Sequence, residues 1–443
     1  MNLSSFRDFE RAGWQWLEAG KFMQARLNLT DRVPAEAFLR LPPDWAFFWK
    51  SKEAKSWFSA WGLAEKIPFK DLIASSVDPW ITVCGGFPFA PAHHSGSEWQ
   101  ELADSHWFVP KFLWRQDQDA AVLEVVCSLA NAENNDSWKT QLLEEAWRFY
   151  QALHQSAAPS PLPMYESRQD VPSRSRWHEI MDAATEHMSA GDFDKVVLSR
   201  RVRLQFPKAL SAADLFRQLL TLHEESFLFA CQSPEGLCFM GRSPERLLAW
   251  RDRGFQLDAI AGTRRRSLSA SSDQAFSDDM QQSPKEQNEH RLVRQAITDL
   301  LHAEGVVFEP VEEQAIIRLQ HVQHMRTRFK GEVPAGRSCA ELLPLLHPTP
   351  AVGGYPRGPA LNFMLREEGF DRGWFAGGIG VFQGNQGDVA IGIRSALVDG
   401  ARLWIYAGAG IVPGSDADAE WQEIEAKMQN FLGLLQAEDA SLK

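Results

Sequence analysis

FLFACQ (227–232), LCFMGRS (237–243), RLLAW (246–250) and FQLDAIAGT (255–263) follow one another with connections of two to four residues. Each is a short run of apolar and aromatic residues bounded by Ser, Pro, Gly or charged residues. That pattern favours antiparallel sheet over alternating strand and helix units. Upstream, WHEIMDAATEHMSAG (177–191) places Ile180, Met181, Ala184 and Met188 at helical spacing and stops at Gly191, and a strand, DKVVLSRRVRL, follows. Downstream, DVAIGIRSALV and ARLWIYAG flank Asp399 and Gly400, a pair suited to both positive-φ positions of a type I′ hairpin turn. On the first of those strands Arg394 alternates with Ala390, Gly392 and Ala396. An arginine among such small neighbours has room for a ligand in front of it; the plainer alternative is a solvent-facing sheet edge.

The N-terminal third carries three more strand-like stretches, WITVCGGFPFAP, WFVPKFLW and DAAVLEVVCSLA, and a helical pattern over 136–155. The Pro- and Ser-rich stretch 157–174 reads as a linker dividing an N-terminal α+β portion, 1–156, from the rest. SLSASSD, beginning at Ser267, reads as a short polar loop.

The 443 residues, 44% hydrophobic and 23% charged, are those of a globular chain able to bury a sizeable core. A formal net charge of −12 with no long Lys/Arg cluster argues against nucleic acid and anionic membrane as partners. The start, MNLSSFRDFERAGW, lacks the basic and apolar regions of a signal peptide, and no apolar run reaches membrane-spanning length, so a cytoplasmic location is expected. Cys84, Cys127, Cys231, Cys238 and Cys339 form no CxxC pair, which speaks against structural zinc or a disulfide framework.

Two Glu-x-x-Glu pairs carry the clearest chemistry: Glu286 with Glu289, and Glu420 with Glu423, each on an expected helix where i and i+3 share a face. Four carboxylates so arranged suit a hard divalent cation such as magnesium. Each pair has a plainer alternative. Ser283, Pro284 and Glu286 fit a capping box, and Glu423 with Lys427 fits an ordinary i,i+4 ion pair. Glu289 heads the apolar stripe Leu292, Val293, Ala296, Ile297, Leu300, and a carboxylate there wants a cation.

Lys195 shares a strand face with Val197 and Ser199; burial makes such a lysine a candidate general base, although the strand pattern alone favours a lysine snorkelling to water at a strand end. Glu245, after a Ser-Pro turn, can point into a cleft or pair with Arg242 or Arg246. Gly408 and Gly410 in YAGAGIVPGSDADAEW let backbone amides approach a carboxylate closely.

Taken in order, GDFDKVVLSR, GRSPERLL, AIAGT, KEQNEH, VQHM, HPTPAVGG, WFAGGIG, IRSA, YAGAGI and EWQEIEAK closely resemble the chorismate-utilising enzymes over 175–440. That family includes anthranilate, aminodeoxychorismate, salicylate and isochorismate synthases. The resemblance implies an α+β fold of two large antiparallel sheets packed as a sandwich with surrounding helices, to which the N-terminal portion adds strands. It implies Mg2+ held by Glu289 and Glu423 with Glu286 and Glu420 in support, Lys195 as general base and Glu245 as general acid. Arg394, Lys427, Gly408 and Gly410 match the contacts to the carboxylates of chorismate, while Gly262, Thr263 and His324 match residues lining its ring.

Two positions place the chain within the family. Aminating members typically carry glutamine where Lys195 stands, so lysine implies activation of water and no glutaminase subunit. Members that expel pyruvate tend to carry threonine at Ala351, so alanine implies a reaction that stops at isochorismate, an isomerase of the hydroxymutase type; salicylate synthase is the alternative. The tail EWQEIEAK looks more like the menaquinone branch than the siderophore branch, and a monomer or weak homodimer is expected. One departure is Phe375, where the family often has a tyrosine able to hydrogen bond a substrate carboxylate. Outside the family, the 17 tryptophans and many carboxylates fit a sugar-binding module or glycosidase, which would expose its tryptophans to stack on sugars.

Overall fold

The computed structural model describes residues 5–19, 21–74, 77–90, 98–129, 137–155, 158, 160–222, 225–267 and 269–436. The four stretches that opened the sequence reading form the antiparallel strands Phe227–Gln232, Cys238–Ser243, Arg246–Arg251 and Gly254–Arg265. They do not make one meander. The first two pair with each other, as do the last two, but between Ser243 and Arg246 the chain leaves one run of strands and enters another. Pro244 and Glu245 occupy that crossing.

One run passes through Phe227–Gln232, Cys238–Ser243, Ser395–Asp399, Arg402–Ile411 and Lys195–Gln205. The other passes through Gly378–Gln383, Gln386–Ile391, Arg246–Arg251, Gly254–Arg265, Val322–Glu332 and Val307–Arg318. Every pairing is antiparallel. The expected α+β architecture with large antiparallel sheets is thus what the chain adopts, and N-terminal strands bind both runs together. Ala46–Lys50 pairs with Phe227–Gln232, Thr82–Phe87 pairs with Gly378–Gln383, and His106–Gln116 pairs with both Thr82–Phe87 and Trp57–Ile67. Through His106–Gln116 the two runs form one continuous hydrogen-bonded network.

Four local expectations change. The stretch 388–398 is not a single strand. It breaks after Ile391, and Arg394 takes a left-handed φ of 52°, so the alternation that placed Arg394 does not run through it. The hairpin turn falls one residue later than Asp-Gly implies, because Asp399 pairs with Arg402 in the ladder. Of the turn residues only Gly400 has a positive φ, 55°, a pattern that fits a type II′ turn rather than type I′. SLSASSD starts the helix Ala270–Gln282 with Ser269 as its N-cap; Leu268 lies outside the described residues. The stretch 157–174, of which Ala157 and Pro159 lie outside the described residues, holds the strand Ser167–Val171, which joins Lys195–Gln205; its Asp170 pairs with buried Arg200.

Two helices of twenty residues position the site. Pro284–Ala303 starts at the Ser283 cap with proline at its first turn, packs on Gly254–Arg265, and buries Glu289, Leu292, Val293 and Ile297. Ala417–Gln436 packs on Arg402–Ile411. Among the described residues no helix is long and apolar enough to cross a membrane.

Candidate active site

Where the two runs of strands face each other they leave a cleft enclosing about 650 Å3, part of it open to solvent. Val197, Ser199, Gly408 and Gly410 line it from the first run, and Ile260, Gly262, Thr263 and His324 from the second. Glu245, Ala351, Phe375 and Arg394 close it from connecting segments, and the two long helices add Glu289 and Lys427. Ten of the fourteen residues singled out by sequence therefore meet in one cavity. The other four, Lys195, Glu286, Glu420 and Glu423, stand directly behind its wall.

The carboxylates are charge-compensated one by one. Glu289 lies 3.0 Å from Lys195 Nζ, and Glu423 lies 2.7 Å from Lys427 Nζ. Lys285 reaches Glu420 at 2.5 Å and Glu286 at 3.6 Å. Glu286 accepts from the Thr263 amide at 3.0 Å and from Arg264. That contact decides the capping question. Ser283 caps the helix by accepting from the Glu286 amide, while the Glu286 side chain turns away to the bulged strand at Gly262 and Thr263. The i,i+4 pair Glu423–Lys427 forms as well, but with the side chains only 18% and 13% exposed it is not a surface pair.

The local field is that of a crowded acidic cluster. Burial and the neighbouring Glu423 push Glu420 up to about 7, and burial together with Glu289 raises Glu286. Burial alone would raise Glu289, but Lys195 and Lys285 outweigh it and hold its carboxyl below the usual range. Among the described residues no three side chains of His, Cys, Asp and Glu converge closely enough to hold a metal as they stand. The donor set nevertheless fits a hard cation: four oxygen-donor residues, more like charge than they hold comfortably, and lysines occupying Glu289 and Glu423.

Lys195 is fully buried and points to the cavity side of its strand. Glu245 is 3% exposed, and its carboxyl makes no hydrogen bond or ion pair to the described residues. Arg242 is occupied by Ser226 and the Leu219 carbonyl, and Arg246 by Glu53 and Asp388, so neither plainer partner is used. Burial, then the nearby Asp258, push Glu245 up to about 8. It therefore keeps its proton at neutral pH.

His324 links the ring-lining residues to Arg394. Burial, then Arg394 and Lys427, push the imidazole well below its ordinary value. The neutral ring accepts from Arg394 Nη2 at 2.8 Å on Nε2, so the proton sits on Nδ1, near the Gly262 carbonyl at 3.2 Å. Arg394 is thus aimed by His324 and by its own left-handed backbone. Gly410 is needed for space: a Cβ there would lie 2.0 Å from Glu289 Oε1. Phe375 stacks on Tyr406 with centroids 5.3 Å apart and presents only carbon to the cavity.

Sequence reasoning missed several residues. Arg372 lines the cavity and, paired with Glu368, donates to the Val197 and Val352 carbonyls at 2.7 and 2.8 Å. Glu368 accepts from the Ser199 amide at 2.8 Å. This buried pair ties the Lys195 strand to the Ala351 segment, and nothing in local spacing announces it. Lys285 had a readable signal, as a cation next to Glu286.

The sequence pattern of the family described as chorismate binding enzyme matches residues 66–436, and the chain belongs to that family of enzymes. The chloroplastic isochorismate synthase of Catharanthus roseus is 28% identical over 414 residues, covering 89% of this chain and 71% of the relative. The salicylate biosynthesis isochorismate synthase of Pseudomonas aeruginosa is 31% identical over 359 residues, covering 80% and 74%. Among solved structures, MenF, the menaquinone-specific isochorismate synthase from Escherichia coli, superposes with a TM-score of 0.79 at 25% identity, over 95% of this chain and 96% of that one. The resemblance to isochorismate synthases read from the motifs is therefore shared by sequence and fold.

Proposed function

We propose that this chain is an isochorismate synthase that adds water at C2 of chorismate and releases the C4 hydroxyl, feeding menaquinone synthesis. The carrying observation is the pair of ionisable groups at one cavity: a fully buried lysine behind its wall, and in its lining a glutamic acid that keeps its proton at neutral pH. Lys195 in its neutral form takes a proton from the attacking water. The ring double bonds shift, and Glu245 donates its proton to the departing C4 hydroxyl. Arg394, held by His324, Lys427 and the backbone at Gly408 and Gly410 orient the substrate carboxylates. Ala351 and Val352 leave a small apolar wall beside the ring, consistent with release of isochorismate before pyruvate is lost.

Glu289 and Glu423 would hold Mg2+, with Glu286 and Glu420 behind them. When bound, the cation supplies positive charge to the ring carboxylate. The Glu289 and Glu423 carboxylates are paired here with Lys195 and Lys427, which would have to share them with the cation.

The menaquinone assignment is supported by the likeness to MenF over nearly the whole of both chains. A cytosolic monomer or weak homodimer acting without a glutaminase subunit completes the reading. The sugar-binding alternative finds no support, since of the described tryptophans only Trp80 is prominently exposed. Incubation with chorismate, with and without magnesium, and identification of the product tests the proposal. Isochorismate formed only with magnesium is expected; anthranilate, salicylate or no product overturns it.

A further inference from the structure

Behind Glu245 lies a charged cluster that the proposed chemistry does not use. Lys52, just past the strand Ala46–Lys50, and Asp258, on Gly254–Arg265, form an ion pair in which both side chains have 0% exposure. Lys52 Nζ also donates to the Pro244 carbonyl at 3.1 Å, one residue before the acid. Asp258 accepts in addition from Arg328 Nε at 3.0 Å. The turn is pinned at two further points: the Glu245 amide donates to Ser243 Oγ at 3.2 Å, and the Glu245 carbonyl accepts from the Ile391 amide at 3.1 Å.

A fully buried ion pair is a poor source of stability, because desolvating two charges consumes most of their attraction. This one touches the backbone that carries the acid and places a cation and an anion beside it. We infer that Lys52 and Asp258 are positioning residues for Glu245: the pair fixes the crossing turn between the two runs of strands and sets the field in which the acid holds its proton. The inference rests on the assignment of Glu245 as the acid. It also gives the N-terminal portion a part in the chemistry, through Lys52.

The charged groups that bear on Glu245 are Asp258, which favours the protonated form, and Lys195, Lys52 and Lys427, which favour the ionised form. Arg246 is held by Glu53 and Asp388, and Arg328 by Asp258. Removing Lys52 exposes Glu245 to Asp258 with less compensation, and removing Asp258 leaves an uncompensated lysine. The two substitutions should move the acid in opposite directions. Structural damage has no reason to do so.

The test titrates Glu245 directly in the full-length protein, by the infrared carbonyl band of its protonated carboxyl, assigned as the band that E245Q lacks. K52M should raise the titration midpoint and D258N lower it, each by about half a pH unit or more. The limb of the kcat/KM profile that coincides with this midpoint should move with it. Shifts of the same sign, or no shift in folded protein, overturn the inference. Should either single variant fail to fold, K52M/D258N carries the test. Asp258 is the stronger influence, so the double variant should titrate lower than wild type, and an unmoved midpoint overturns the inference. If the wild type makes no isochorismate, the functional reading fails, while the infrared titration still decides whether Lys52 and Asp258 govern Glu245.

Discussion

Replacing Glu245 by glutamine keeps its shape and removes its titration, and the structure fixes what this does to stability. The carboxyl ionises near the usual 4.5 when the chain is unfolded but only at about 8 when folded. The folded state therefore binds the proton more tightly, and unfolding releases it. Stability from this group is complete below pH 4.5, falls as pH rises, and is fully lost above about 8. At about 1.4 kcal/mol per tenfold difference, the loss is about 3 kcal/mol by neutral pH and about 5 kcal/mol in full. Glutamine loses none of it. Urea unfolding of both proteins should show E245Q gaining on wild type across this range, and groups common to both, such as Glu420 and Glu286, cancel in the difference. A stability difference independent of pH would refute the claim that Glu245 is stored as the neutral acid. Turnover should fall about 100-fold or more while chorismate still binds, since only proton donation is lost.

Lys195→Gln should bind chorismate yet form no isochorismate; undiminished product would remove Lys195 as the base. Gly410→Ala places a methyl group 2.0 Å from Glu289 Oε1 and 3.0 Å from Lys195 Cε, so turnover should drop about 100-fold or more with the fold intact by circular dichroism. Ala351→Thr should release pyruvate alongside isochorismate, and its absence by a coupled lactate dehydrogenase assay would show that this position does not govern elimination. Magnesium and chorismate should each tighten the other's binding in calorimetric titrations, and equal chorismate affinity with and without the cation would contradict the proposed shared site.

The fold was legible where strands are short and four-residue links join antiparallel neighbours, whereas the two-residue link at Pro244 and Glu245 crosses between the runs instead of closing a hairpin. It was not legible where a single apolar run serves two partners. DVAIGIRSALV has the composition of one strand, yet Gly392 and the left-handed Arg394 divide it between the two runs. Ser167–Val171 escaped notice because its strand rests on Asp170 pairing with Arg200 rather than on apolar alternation.

The site divides along a similar line. Carboxylates at helical spacing announce themselves, since three residues on a helix fix their relation. Arg372 with Glu368, and Lys52 with Asp258, act across pairings of distant segments, and no local period encodes those. Their common feature is a charge that cannot be left alone inside the protein. Glu286, Glu289, Glu420 and Glu423 meet Arg264, Lys195, Lys285 and Lys427, four charges against four. A dianion entering together with a divalent cation leaves the charge balance of the cleft unchanged, whereas either one alone does not. An overall charge of −12 is then no obstacle to an anionic substrate, because the glutamates of the cleft are met by cations and Arg394 lines the same cavity.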